Sequence, residues 1–394
     1  MRNRSLRLLW TATTVDAFGS WLLVMAVPLQ VFTITGSVTS AGLTLAVEAA
    51  PAVLIGPWAG VVADRLPRRT VLVIANLAAA AGVGLLLGGL PLLYVGLLAE
   101  KVATCFAQPA LAAALPAAAR NPAELASVNA LTAVSASVLR LGGPLLGTLL
   151  VAHGWFTAVV LVDLASYVIA AVIISRLPAM PAPPVASRPG DLLPATPVAE
   201  PAGRTGALLA GLRRIIRTPV LRGLLGVTWV YWTANAALTT LLIPFATVRL
   251  DRGGQAVGWL VSGLGLGYLA GSAISRRVVL RYPIRTVLLV AYSVVGLCFL
   301  IAFTATTLPV ALAAITVSGV PGAITLVAVR QCWQTAAPNS ETGRVAATFA
   351  ASDGTAAVAG AVLAPAVVAV AGLAAAPAAI SVGVLAAAAL AATL

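Results

Sequence analysis

Seven charged residues, Asp16, Glu48, Glu100, Lys101, Arg140, Asp163 and Asp353, stand inside long apolar runs of this 394-residue chain. An ionised group at mid-membrane depth costs at least ~2.5–3.5 kcal/mol, so each must face the interior and either pair or neutralise. A carboxyl group in low dielectric holds a proton near neutral pH, and a cation that moves up to it drives the proton off. An acid whose distance from Arg140 or Lys101 changes with conformation is therefore a proton-coupling device. Glu48, one turn before Pro51, is the deepest of these acids and the first proton carrier, with Arg140 as its partner from another helix. Asp16 and Glu100 come next. Neighbouring helical residues point ~100° apart, so Glu100 and Lys101 are each expected to find a partner on another helix. Asp163 and Asp353 are expected near helix ends, as caps or ion pairs. For every one of these acids a purely structural pairing stands beside the coupling reading.

Three further patterns carry chemistry. Gly60, Asp64, Arg65, Arg68 and Arg69 form G-x-x-x-D-R-x-x-R-R between two apolar runs. Such a cluster must lie at a membrane face. Gly60 lets a neighbouring backbone approach, and Asp64 accepts backbone N–H groups at a helix start or pairs with an arginine. The plain alternative is a charge cluster that only orients the helices. Polar and aromatic residues recur at helical spacing as Thr228, Trp232, Asn235 and Thr239, and as Lys101, Thr104 and Gln108. In lipid such stripes turn inward, to line a substrate cavity or to fasten helices. Gly143, Pro144 and Gly147 form a third pattern: the proline frees a carbonyl and bends its helix, while the glycines admit a close neighbour, as a transport element or a packing kink.

These residues need membrane helices to position them. Sixty per cent apolar and nine per cent charged residues, with a mean hydropathy of +1.03, exclude a soluble globular chain. Apolar runs near or above the ~20 residues that cross a bilayer cover 8–34, 40–63, 70–90, 91–114, 123–153 and 155–174. Six more cover 221–248, 255–275, 285–304, 308–329, 343–371 and 373–394, the last two divided only by a Gly-containing turn. Between the sets, 177–218 is proline-rich and reads as a flexible linker, ending in an amphipathic surface helix over 206–217. The expected domains are thus 1–176, the linker 177–218, and 219–394. The 271–276 stretch, Gly271 to Arg276, repeats the place of the Gly60 motif with Ser275 in the acid position, which points to two pseudo-twofold-related six-helix bundles in an all-α membrane protein.

Of the 24 basic residues, all but Arg249, Arg252, Lys101 and Arg140 fall in loops on one side. That bias explains the net charge of +13 by the positive-inside rule and leaves no surface for nucleic acid. Cys105, Cys298 and Cys332 have no metal spacing and read as small buried residues. The single lysine, Lys101, lies in no phosphate-binding loop, so neither ATP hydrolysis nor a cofactor or metal is expected. One histidine (His153, at a helix end) and scattered cysteines make no enzyme site. No short apolar segment with a cleavage site precedes the first run, so the N-terminus is expected to be uncleaved.

The Gly60–Arg69 motif resembles the signature between the second and third helices of the major facilitator superfamily of transporters, with Pro67 where that pattern usually carries glycine. Stretches 28–37, 51–69, 106–116, 126–131, 140–147 and 163–167 resemble, in order, its drug, macrolide and siderophore exporter branch. That branch usually carries Gly-Asp where this chain has Gly19 and Ser20, and Asp16 lies one turn earlier. The resemblance implies twelve helices and proton-coupled efflux of an amphipathic organic compound by alternating access; the alternative is an importer or facilitator of a small polar nutrient. Expected partners are a small-molecule substrate, protons and the lipid bilayer. The chain is expected to act as a monomer in a bacterial inner membrane, with both termini cytoplasmic.

Overall fold

Hydrocarbon offers no hydrogen bonds, so apolar runs of this length close their backbone bonds within themselves as helices. A computed structural model describes residues 3–56, 59, 66–178, 212–250, 253–336 and 342–393, and these are all-helical apart from short connections. Six helices come first: α1 (Arg4–Thr35), α2 (Val38–Leu54), α3 (Arg68–Leu85), α4 (Leu90–Ala118), α5 (Pro122–Ala152) and α6 (Phe156–Ser175). Five follow: α7 (Pro219–Pro244), α8 (Gly253–Arg281), α9 (Ile284–Thr304), α10 (Leu308–Ala336) and α11 (Thr342–Ala391). The last is two arms that meet at Gly372, where φ of 77° breaks the helix at the Gly-containing turn expected there. Among the described residues, nine helices are long and apolar enough to cross a membrane.

Short connections force up-and-down topology. One end of the bundle carries residue 3 and the connections before α3, α5, α7, α9 and α11, where the arginines concentrate; the opposite end is poor in arginine. Of the two basic residues expected at the poor end, Arg249 closes a π-turn after α7, and Arg252 lies outside the described residues. At the arginine-rich end, Asn3 caps α1 by accepting from the Ser5 and Leu6 amides, and its Nδ2 donates to the Ala118 carbonyl and the Glu124 carboxylate, both at 2.8 Å. This ties the chain start to the α4–α5 connection. Of the expected amphipathic helix, residues 212–217 are helical, with Ile215 fully buried and Ile216 exposed; the rest lies outside the described residues.

The helices are inside-out relative to a soluble bundle. On α6, Leu161, Val162, Ile169 and Val172 face outward, whereas Asp163, Ser166 and Tyr167 are buried. Helices α1–α6 pack mainly with one another, as do α7–α11; the groups meet where α5 crosses α8 and α2 crosses α11. On α5, β-carbons at Gly143 and Gly147 would collide with Trp21 and with the Leu22 carbonyl, so these glycines set how closely α1 approaches. The helix runs on through Pro144; the Ser262 hydroxyl of α8 donates to the Leu141 carbonyl at 2.7 Å.

Candidate functional site

A rise of ~1.5 Å per residue puts positions ten to twelve residues into a helix about 15–18 Å from its end, near mid-membrane. Asp16, Glu48, Glu100, Lys101, Tyr167 and Asp353 all sit at that depth.

In the first group of helices the acids gather around one cation. Lys101 Nζ lies 2.9 Å from Glu100 Oε2 and 3.2 Å from Oε1. The expectation of separate partners is therefore corrected: the long lysine stem folds back onto its neighbour, which the angle between adjacent Cβ vectors does not forbid. Glu100 also accepts from the Tyr167 hydroxyl at 2.8 Å, and that hydroxyl is 3.2 Å from Ser20 Oγ. The Glu100 side chain is 4% exposed. Asp16 lies within electrostatic reach of Glu100 and Lys101, and Lys101 within reach of Glu48 and Asp163. Asp16 Oδ1 and Asp163 Oδ2 are buried without a hydrogen-bond partner. Asp163 is fully buried on the middle of α6, not near a helix end, and Gly19 of α1 gives it room, since a β-carbon there would overlap its carboxylate. Asp353 is likewise eleven residues inside α11 rather than at its end.

Glu48 opens onto a cavity of about 480 Å³ that it lines with Lys101, Thr104, Cys105 and Gln108. The proposed fourth-helix stripe and the first proton carrier thus share one space. Cys105 borders it rather than being buried, and all three cysteines are free.

Arg140 does not pair with Glu48; among the described residues it forms no ion pair. Its guanidinium stacks 5.7 Å from the Trp21 ring of α1 and 5.3 Å from the Tyr268 ring of α8. Aromatic faces supply the negative potential that a carboxylate was expected to give, and Arg140 bridges the two helix groups through them.

A second cavity of about 480 Å³ lies within α7, α9, α10 and α11. Trp232 and Thr228 of the α7 stripe line it, but Asn235 and Thr239 are not among its lining residues; Thr239 Oγ1 donates to the Asn235 carbonyl of its own helix. The other walls are Tyr292, Trp333, Phe349 and Asp353, with Arg330 towards the arginine-rich end. Tyr231 and Tyr292 stack at 4.3 Å, and the Trp333 and Phe349 rings are nearly parallel, with centroids 6.4 Å apart. Sequence reading passed over these aromatic residues; only Trp232 was legible, through its spacing.

Of the G-x-x-x-D-R-x-x-R-R motif, Arg68 and Arg69 open α3 at the arginine-rich end, while Gly60, Asp64 and Arg65 lie outside the described residues.

A family model described as Major Facilitator Superfamily matches residues 9–253. The chain is 27% identical to the uncharacterized MFS-type transporter YfiS of Bacillus subtilis (strain 168) over 287 residues, which is 70% of this chain and 64% of that protein. It thus spans less than two thirds of that relative. Among solved structures, it resembles the human organic anion transporter MFSD10 (TETRAN), with TM-score 0.68, 18% identity, and 98% and 99% of the two chains covered. It also resembles the nucleoside transporter NupG, with TM-score 0.74, 13% identity and 98% of each chain covered. A third likeness is a bacterial homologue of the human lysosomal transporter Spinster, with TM-score 0.73, 14% identity, and 99% and 95% covered. By its helices and by the family model that spans more than half of it, this membrane-spanning chain belongs to the major facilitator superfamily of transporters.

Proposed function

We propose that the protein is a proton-coupled exporter of an amphipathic organic compound, drug-, macrolide- or siderophore-like, which works by alternating access. One observation carries this reading: four carboxyl groups, Asp16, Glu48, Glu100 and Asp163, lie within electrostatic reach of Lys101, and only Glu100 is paired with it. Unpaired charge at this depth is costly, and proton binding relieves it. Of the four acids, Glu48 is the one that lines the cavity, so it is the group that exchanges its proton with water there. Glu100, held by Tyr167 and Lys101, is the fixed counter-ion. Asp16 and Asp163 each keep one buried oxygen without a hydrogen-bond partner.

Export as the direction rests on the resemblance of the first-half stretches to the exporter branch. An amphipathic substrate fits the aromatic second cavity better than a polar nutrient, which needs several hydrogen-bonding groups per cavity helix. In this reading, residues 1–176 and 219–394 are two bodies joined by 177–218, and Arg140, between Trp21 and Tyr268, is one of the contacts that must break as they rock. Gly60, Asp64, Arg65, Arg68 and Arg69 fasten the opposite state. The arginine-rich end is cytoplasmic, with both termini, in a bacterial inner membrane, and the chain acts as a monomer.

Inverted vesicles with an imposed pH gradient test the coupling. Uptake of an aromatic drug is expected to exceed equilibrium only while the vesicle interior is acidic. Equilibration without accumulation, whatever the gradient, would make the protein a facilitator.

A further inference from the structure

Apart from both cavities, the α7–α11 group carries a groove of about 470 Å³ on the face that it turns to lipid. Its walls are the end of α8, the first half of α9 and the middle of α10, through Val287, Val290, Val294, Val317, Val320 and Ile324. Val290, Val294 and Val317 are exposed, while Val287 and Ile324 pack together as the floor. Of the residues that line the groove Tyr282 and Thr286 are polar, and both stand at one end. From Thr286, two residues into α9, to Val294, ten residues in, the groove runs about 12 Å. It thus opens at the arginine-rich face and stops about 15 Å in, half of the ~30 Å of hydrocarbon and so the depth of one leaflet. A hollow open to hydrocarbon forfeits contact energy unless it is filled, and a lipid tail of that leaflet has the length and composition to fill it.

Charge gathers at the mouth. Residues 276–285, where α8 passes into α9, include Arg276, Arg277, Arg281 and Arg285 and no acid. All four are exposed, and helix ends hold them, since α8 runs to Arg281 and α9 starts at Ile284. Arg281 stacks on Tyr282, its Cζ 5.9 Å from the ring centroid, which lays its guanidinium beside the groove. The acids of residues 219–394 are Asp251, Glu341 and Asp353, all in other segments, and among the described residues none of the four arginines forms an ion pair. A guanidinium is always charged, and its fork of N–H donors fits a phosphate. A second copy of the chain, seated here by a twofold axis, would bring the same arginines against these. The charge therefore selects an anionic occupant.

We infer that the groove holds an anionic phospholipid of the arginine-rich leaflet, with one acyl chain between α9 and α10 and its phosphate between Arg281 and Arg285. The groove shares no lining residue with either cavity, and its three walls belong to one group of helices. The inference therefore goes beyond the exporter reading and does not rest on it.

The test is a lipid titration of the purified full-length protein in mild detergent, followed by native mass spectrometry. The probes are phosphatidylglycerol, the zwitterionic phosphatidylcholine, and glycerol 3-phosphate, which has the phosphate without chains. Wild type is expected to take its first phosphatidylglycerol at least about tenfold more tightly than phosphatidylcholine, and a roughly hundredfold excess of glycerol 3-phosphate should not displace it. Arg281→Gln/Arg285→Gln should weaken that first lipid at least about tenfold. Arg217→Gln/Arg222→Gln, which removes two exposed arginines elsewhere at the same end, should stay within about twofold of wild type. Val290→Trp fills the groove from an exposed position and keeps every charge; it should weaken the lipid at least about fivefold. Equal affinity for the two phospholipids, equal loss in the two double variants, or displacement by glycerol 3-phosphate would each overturn the inference. So would wild-type affinity in Arg281→Gln/Arg285→Gln or in Val290→Trp. A wild-type dimer that Val290→Trp turns into monomers would give the groove to a second copy and overturn it as well.

Discussion

At the scale of residues, what the sequence showed and what it hid follow from side-chain length. An acid in an apolar run has few ways to be satisfied, so Asp16, Glu48 and Glu100 stood out at once. Their pairing was hidden, because four methylenes let Lys101 reach the carboxylate beside it as easily as one across a helix gap. Arg140 was assigned to an acid because a ring face does not look like a counter-ion in a string of letters. Tyr167 stands in the 163–167 stretch, yet its hydroxyl bond to Glu100 depends on how α4 and α6 pack. Outside the membrane, Glu124 gives a residue-scale prediction. Donors from the Asn3 side chain and then the Arg120 amide hold its carboxyl below the usual glutamate value of 4.5. The folded state therefore favours the charged form, and the contact is present above pH 4.5 and weakens as pH falls below it. Amide exchange over Leu6–Trp10, corrected for intrinsic rate, should lose protection on going from pH 7 to about pH 3 in wild type. Glu124→Gln should show little pH dependence. Unchanged protection in wild type would contradict the contact's role.

Elements were more legible than contacts. Apolar length located every described helix to within a few residues along most of the chain, because lipid leaves a run of that composition no alternative to a helix. The break in α11 was visible as a glycine between two runs, and the structure puts it at Gly372. Exit points were less legible: α8 runs on to Arg281 and α10 to Ala336, since a helix continues past the hydrocarbon where nothing stops it. In the Gly143–Gly147 segment, a transport element or a packing kink by its residues, the glycines do admit a close neighbour, which is α1. A side chain at Gly147 would collide with the Leu22 backbone, so Gly147→Leu must push α1 and α5 apart. Overpacking of this kind costs about 1–3 kcal/mol. The variant in detergent should unfold several degrees below wild type, and Gly142→Leu, where open space surrounds the position, should not. Equal melting of the two variants would remove the reason given for this glycine.

The whole molecule divides the work between two groups of helices. The α1–α6 group holds Lys101 with Asp16, Glu48 and Glu100 at mid-membrane depth and Asp163 within its electrostatic reach, and the α7–α11 group holds an aromatic cavity that Asp353 lines. Between them α5 meets α8 and α2 meets α11, and β-carbons at Gly258 and Gly42 would overlap atoms across those crossings. Both crossings are backbone-close towards the arginine-poor end, while both cavities lie from mid-depth towards the arginine-rich end. The two sets of helices, the buried acids and the Lys101–Gln108 stripe were legible in sequence; the aromatic cavity was not, because Tyr292, Trp333 and Phe349 come from three helices, and aromatic residues in such helices face lipid as readily as a cavity. The central claim is that Glu48 carries the coupled proton. It is tested by Glu48→Gln, which mimics the protonated acid permanently, in vesicles assayed both for gradient-driven accumulation of ethidium and for counterflow. The account predicts that accumulation falls to the level of protein-free vesicles while counterflow stays within about threefold of wild type, because exchange needs no change of protonation. If Glu48→Gln still concentrates ethidium when the pH gradient is applied, Glu48 is a structural residue and the account is contradicted.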